Sequence, residues 1–124
     1  MSPRSEEFMA MALGQLEAAR SSLSAGFPFQ AVSSGYYASL NAARAALSEE
    51  ELYAKTHRGT WDLFRQTFVA AGRFEESLLT AARKTQADRE GVDYDAERVS
   101  SERAEEVVEI ADRYVAAVRE LVGD

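Results

Sequence analysis

Residues 34–47 read SGYYASLNAARAAL, and the spacing in this stretch decides the fold. Extended back to Phe29, the larger residues Phe29, Val32, Tyr36, Leu40, Ala43 and Leu47 recur every three or four positions. That is the period of one face of an α-helix. Ala31, Gly35, Ala38, Ala42 and Ala46 form a small-residue face beside it, which lets a neighbouring backbone come close. A helix with such a face is either the centre of a bundle or a subunit interface. Pro28 suits its first position, because proline lacks only an N–H that a helix start leaves unbonded anyway. The acidic run Ser48-Glu49-Glu50-Glu51 bounds the other end and reads as a solvated face.

Similar patterns flank this helix on both sides. An earlier helix starts near Ser2, with Pro3 at its first position and Glu6 and Glu7 in the early turns. Its stripe is Met9, Leu13, Leu16 and Leu23, supported by Phe8, Ala12 and Ala19, and Gly26 ends it. Downstream, Trp61, Leu63, Phe64 and Phe68 give a short aromatic helix stopped at Ala71-Gly72. Their helical period fits core packing better than a base-stacking platform. A fourth helix from Phe74 to about Arg89 turns Leu78, Leu79 and Ala82 inward, and Gly91 to Asp95 reads as a connector. The last helix, Ser101 to Val122, carries Val107, Ala111, Tyr114, Val118 and Leu121. Val108, Ile110, Val115 and Val122 broaden its face, which suits a second protomer or a centrally packed helix. The expected fold is all-α, an antiparallel bundle of about five helices forming a single domain over residues 1–124.

Composition narrows the function classes. The 124 residues hold no cysteine, so no disulfide or thiolate zinc site exists, and one histidine does not build a multi-ligand metal site. No metal and no cofactor are expected. No apolar run reaches the roughly 18 residues that a membrane span needs. A start of MSPRSEEF lacks an apolar signal core, so a cytoplasmic location is expected. The net charge of −7 disfavours wrapping of nucleic acid by the whole surface, while a local basic site stays open. No phosphate-binding glycine loop, dinucleotide fingerprint, nucleophile elbow or zinc-hydrolase histidine pair is present.

The polar candidates fall into three groups. His57, the single histidine, lies in Lys55-Thr56-His57-Arg58-Gly59. An imidazole titrates near neutrality, Lys55 and Arg58 suit phosphate oxygens, Thr56 offers a hydroxyl, and Gly59 would let a ligand approach the backbone. The bland alternative is that this stretch caps the third helix with its charges in water. Tyr37, Asn41 and Arg44, spaced i, i+4 and i+7, share one helix face. They form either an internal network that fixes helix register or one wall of a cleft reached by His57. Arg83, Lys84, Arg89, Asp93 and Tyr94 make the third group, in which an Arg89–Asp93 contact braces the connector.

Four of these segments together resemble the HEPN superfamily, and within it the small helical proteins grouped as UPF0332. They are the A-x-x-x-L helix before Gly26, SGYYASLNAARAAL, KTHRG with the aromatic helix through FVAAG, and ADREGVDYD before the last helix. The resemblance implies a helical bundle, commonly a homodimer. It also implies a minimal nucleotidyltransferase as partner, including in toxin–antitoxin systems, and a nucleotide or RNA as ligand. Some members are metal-independent RNases built on arginine, about four to six residues, then histidine. Here Arg44 precedes His57 by 13 positions and Arg58 follows it directly, so that pattern is absent. Asn41 stands where relatives often carry histidine, and an amide is no acid or base. Lys55, Thr56 and His57 keep the KTH segment, while Arg89, Asp93 and Tyr94 keep the R-x-x-x-DY segment.

Three functions are consistent with this pattern. The first is a partner or nucleotide- or RNA-binding module with little or no catalysis. The second is an RNase in which His57 moves a proton while Arg44 or Arg58 stabilises phosphate charge. The third is a purely structural helical subunit.

Overall fold

The computed structural model describes residues 1–94 and 99–123, and the side chains of these apart from residues 92–94. It is an antiparallel five-helix bundle, all-α, with no strand among the described residues. The helices are α1 (Pro3–Ser24), α2 (Pro28–Glu49), α3 (His57–Phe64), α4 (Glu76–Tyr94) and α5 (Ser101–Leu121). No helix among the described residues is long and apolar enough to cross a membrane.

Helix α2 is the centre, packed by each of the other four. Its small-residue face works inside the chain. A Cβ added to Gly35 would lie 3.2 Å from Val107 Cγ1 on α5, so the glycine sets how closely α2 and α5 approach. The broad face of α5 is likewise taken up within the chain, with Val107, Val108, Ala111, Tyr114, Val115 and Val118 buried. Both starts follow capping chemistry. Ser2 Oγ accepts the Ser5 N–H at 3.2 Å, and Ser100 Oγ accepts that of Arg103 at 3.0 Å. Arg103 then grips both carboxylate oxygens of Asp88 at 3.0 and 2.8 Å, a bidentate tie between α5 and α4.

Several boundaries and faces differ from expectation. The buried stripe of α1 is Ser5, Met9, Ala12, Leu16 and Ala19; Leu13 is one position off it and is exposed. Phe29 is exposed too, in the first turn of α2 close to the more exposed Phe27. The aromatic helix widens after Phe64 into a π-helical turn, Arg65–Val69, in which the Ala70 N–H reaches the Arg65 carbonyl at 2.9 Å. Phe64 and Phe68 both remain buried, with ring centroids 4.8 Å apart. Phe74 precedes α4 and packs edge-on against Phe64. The expected connector at Gly91 is helix instead, through Tyr94, because Gly91 does not take the positive φ with which Gly26 and Gly72 break their helices. Asp95 lies outside the described residues. The acidic run is only partly free in solvent, since Glu49 accepts the Ser2 N–H at 2.7 Å and Glu50 accepts from Arg73 at 3.0 Å.

Candidate functional site

His57 is the first residue of α3, and Thr56 before it is the cap. Thr56 Oγ1 accepts the Gly59 N–H at 2.9 Å, and its carbonyl accepts the Thr60 hydroxyl at 2.8 Å. A Cβ on Gly59 would stand 2.7 Å from that capping oxygen and 3.2 Å from Ala54 Cβ. Gly59 therefore makes room for the cap.

The imidazole is held from behind. Tyr36 OH lies 3.0 Å from His57 Nδ1, and the Trp61 indole N–H donates to the same phenol oxygen at 3.3 Å. An indole only donates, so the phenol oxygen accepts from Trp61, while the ring tautomer sets which partner donates between the phenol and His57 Nδ1. Burial raises the pKa of Tyr36, against the lowering effect of the Trp61 hydrogen bond, and the phenol keeps its proton. Burial lowers the pKa of His57, and the charges of Arg44 and Arg89 lower it further while Glu90 opposes them. A neutral ring that accepts at Nδ1 carries its own proton on Nε2. That nitrogen makes no hydrogen bond among the described residues.

Three helices converge here. From α2, Tyr37 stands edge-on to His57, with centroids 5.9 Å apart at 89°. From α4, the Arg89 guanidinium carbon lies 5.1 Å from the centroid of the Tyr37 ring. Arg44, two turns along α2, has its Nε buried with no hydrogen-bond partner among the described residues. The arrangement brings two guanidinium groups and an imidazole together, with the Glu90 carboxylate near enough to oppose them at His57. The two guanidinium groups suit an oxyanion. With Nδ1 accepting from Tyr36, His57 offers no free basic lone pair.

The other sequence candidates are placed differently. Asn41 is buried, and its amide donates to Gln15 Oε1 on α1 at 2.8 Å, which makes it part of an internal network tying α2 to α1. Lys55 is exposed. Arg58 is 86% exposed and leans towards Asp62 at 3.9 Å, and Asp62 is also held by Arg83 at 2.8 Å. Neither cation joins Tyr36, Tyr37 and His57. Asp93, Tyr94 and the expected Arg89–Asp93 brace lie outside the described side chains. Among the described residues no group of three or more acidic or histidine side chains is placed to hold a metal ion.

Two contributions have no signal in the spacing. Tyr36 is placed by sequence in the stripe and beside the polar face of Tyr37, Asn41 and Arg44, but spacing does not show which partner its buried hydroxyl finds. Gln15 borders the buried Ala12 and Ala19 of α1 and carries no pattern of its own.

The comparisons with known proteins agree with this architecture. Residues 5–121 match the family model of the HEPN domain. Over 73 residues the chain is also 40% identical to UPF0332 protein glr0978 of Gloeobacter violaceus (strain ATCC 29082 / PCC 7421). That alignment covers 59% of this chain and 58% of the relative. The chain belongs to the HEPN family.

Proposed function

We infer that this HEPN chain is a binding module that holds a phosphate-bearing ligand, a nucleotide or RNA, where Tyr37, Arg44, His57 and Arg89 converge. One observation carries the reading: Arg44 Nε is buried without a hydrogen-bond partner among the described residues, and its guanidinium is near enough to His57 for its charge to lower the pKa of the imidazole. A buried guanidinium N–H without a partner costs free energy unless a ligand or water completes it. An oxyanion completes it and is attracted by the same charges that keep His57 neutral. The overall charge of −7 confines the attraction to this cluster.

Family resemblance supplies the setting, a homodimer or a complex with a minimal nucleotidyltransferase in a toxin–antitoxin pair. Titration of AMP into the protein at several salt concentrations tests the ligand. Binding that weakens as salt rises, and that Arg44→Gln removes, is expected; binding untouched by both changes rejects the assignment. Analytical ultracentrifugation alone and with the neighbouring gene product tests the assembly.

RNA cleavage is the second reading, favoured by the oriented and neutral imidazole. It requires the ring to give up the Tyr36 hydrogen bond or to act through Nε2–H as an acid. Loss of chelator-resistant cleavage in His57→Ala is its signature, and equal cleavage by both proteins removes His57 from any such mechanism.

A further inference from the structure

A groove of about 430 Å³ opens between the start of α1 and the α2–α3 connection. Pro3, Arg4, Ser48, Glu51, Leu52 and Tyr53 line it. Its volume lies in the range of small-molecule sites. Tyr53 leaves 48% of its surface in solvent, and two guanidinium groups reach its ring. The carbon of Arg4 is 4.7 Å from the ring centroid and that of Arg44 is 5.9 Å away.

The charge pattern makes this pairing unusual for the molecule. Arg20, Arg58, Arg65, Arg73, Arg83 and Arg103 each pair with a carboxylate. Arg4 and Arg44 pair with none among the described residues, in a chain where carboxylates outnumber cations by 21 to 14. They spend their charge on an exposed aromatic ring instead. A ring flanked by guanidinium planes is a stacking surface for a flat heterocycle. The carboxylate of Glu51 on the groove wall repels a phosphate there, so the flat group belongs in the groove and the phosphate on the far side of Arg44.

We propose that this groove takes a nucleobase, stacked on Tyr53 and Arg4, of the ligand whose phosphate meets Arg44 beside His57. The proposal rests on the phosphate reading above. Arg44 is the joint, because its guanidinium carbon lies 5.9 Å from the centroid of the Tyr53 ring while its charge acts on the imidazole.

The test compares AMP with ribose 5-phosphate, which has the sugar and phosphate without a base, by NMR titration of wild type, Tyr53→Ala and Tyr53→Phe. Tyr53 is exposed, so neither substitution opens the core, and the amide spectrum checks the fold. Wild type is expected to bind AMP roughly 5- to 150-fold more tightly than ribose 5-phosphate, the range that one base–aromatic stack provides. Tyr53→Ala should erase that preference and keep the affinity for ribose 5-phosphate, while Tyr53→Phe keeps both. Equal binding of the two probes by wild type, or a preference that survives Tyr53→Ala, overturns the base subsite and leaves the phosphate site standing. Failure of both probes to bind wild type overturns the phosphate reading and the subsite with it.

Discussion

Tyr36 and Tyr114 both pack against Trp61, and both are fully buried. Their ring centroids lie 6.2 and 5.9 Å from that of the indole. Their hydroxyls meet opposite circumstances. The Tyr36 hydroxyl receives the Trp61 N–H and reaches His57. The Tyr114 hydroxyl, among Phe64, Phe74 and Trp61, has no partner among the described residues. Burial raises the pKa of both phenols, that of Tyr114 well above the usual value. Equal burial therefore separates into two roles. One ring fills space, and the other fills space while aiming a titratable side chain at the surface.

Removing whole rings tests the shared half of the comparison and gives the largest effect. Tyr36→Ala and Tyr114→Ala should each cost about 3–5 kcal/mol in urea unfolding, the usual penalty for emptying a large aromatic site. A much smaller loss at either position would mean that the packing against Trp61 collapses around the vacancy.

Removing only the hydroxyls tests the half that differs, and the signs should oppose. Tyr36→Phe strands the buried Trp61 N–H and should destabilise by about 1–3 kcal/mol. Tyr114→Phe deletes a hydroxyl that burial leaves unbonded and should stabilise on the order of 1 kcal/mol. Losses of equal size in both variants would erase the distinction and point to a water or side-chain partner for Tyr114.

The same contrast explains what the sequence discloses. Periodicity reports burial, so the apolar faces of α2 and α5 and the core role of Trp61, Phe64 and Phe68 were legible from spacing alone. Leu13 misled because its neighbours Met9 and Leu16 match either of two adjacent helical stripes. Periodicity does not report the direction of a hydroxyl, so the relay from Trp61 through Tyr36 to His57, across 21 residues of chain between the last two, had no linear signature. Tyr37 and Arg44 were legible as a face; Asn41 shares that spacing yet turns to Gln15, because α1 covers that edge of α2. The convergence of Arg89 from α4 depended on how three helices pack, which no local pattern encodes.

The smallest effect concerns the titration of His57. Burial, then Arg44 and Arg89, lower its pKa from 6.5, with Glu90 acting in the other direction. Between the lowered folded value and 6.5 the unfolded chain binds more protons than the native one, so stability in that window rises with pH. The contribution of His57 is fully present above pH 6.5 and is lost as pH falls from there through the folded pKa. An NMR titration of the single imidazole should place its midpoint below 6.5. Arg44→Gln should move the midpoint upward, since one of the opposing cations is gone, and His57→Asn should flatten this share of the pH–stability curve. Tyr114→Phe, whose hydroxyl makes no hydrogen bond among the described residues, should leave the midpoint where it was. A midpoint that moves equally in Arg44→Gln and Tyr114→Phe would mean that the two tyrosines packed on Trp61 act on His57 alike, and that the partnered hydroxyl of Tyr36 does not set His57 apart.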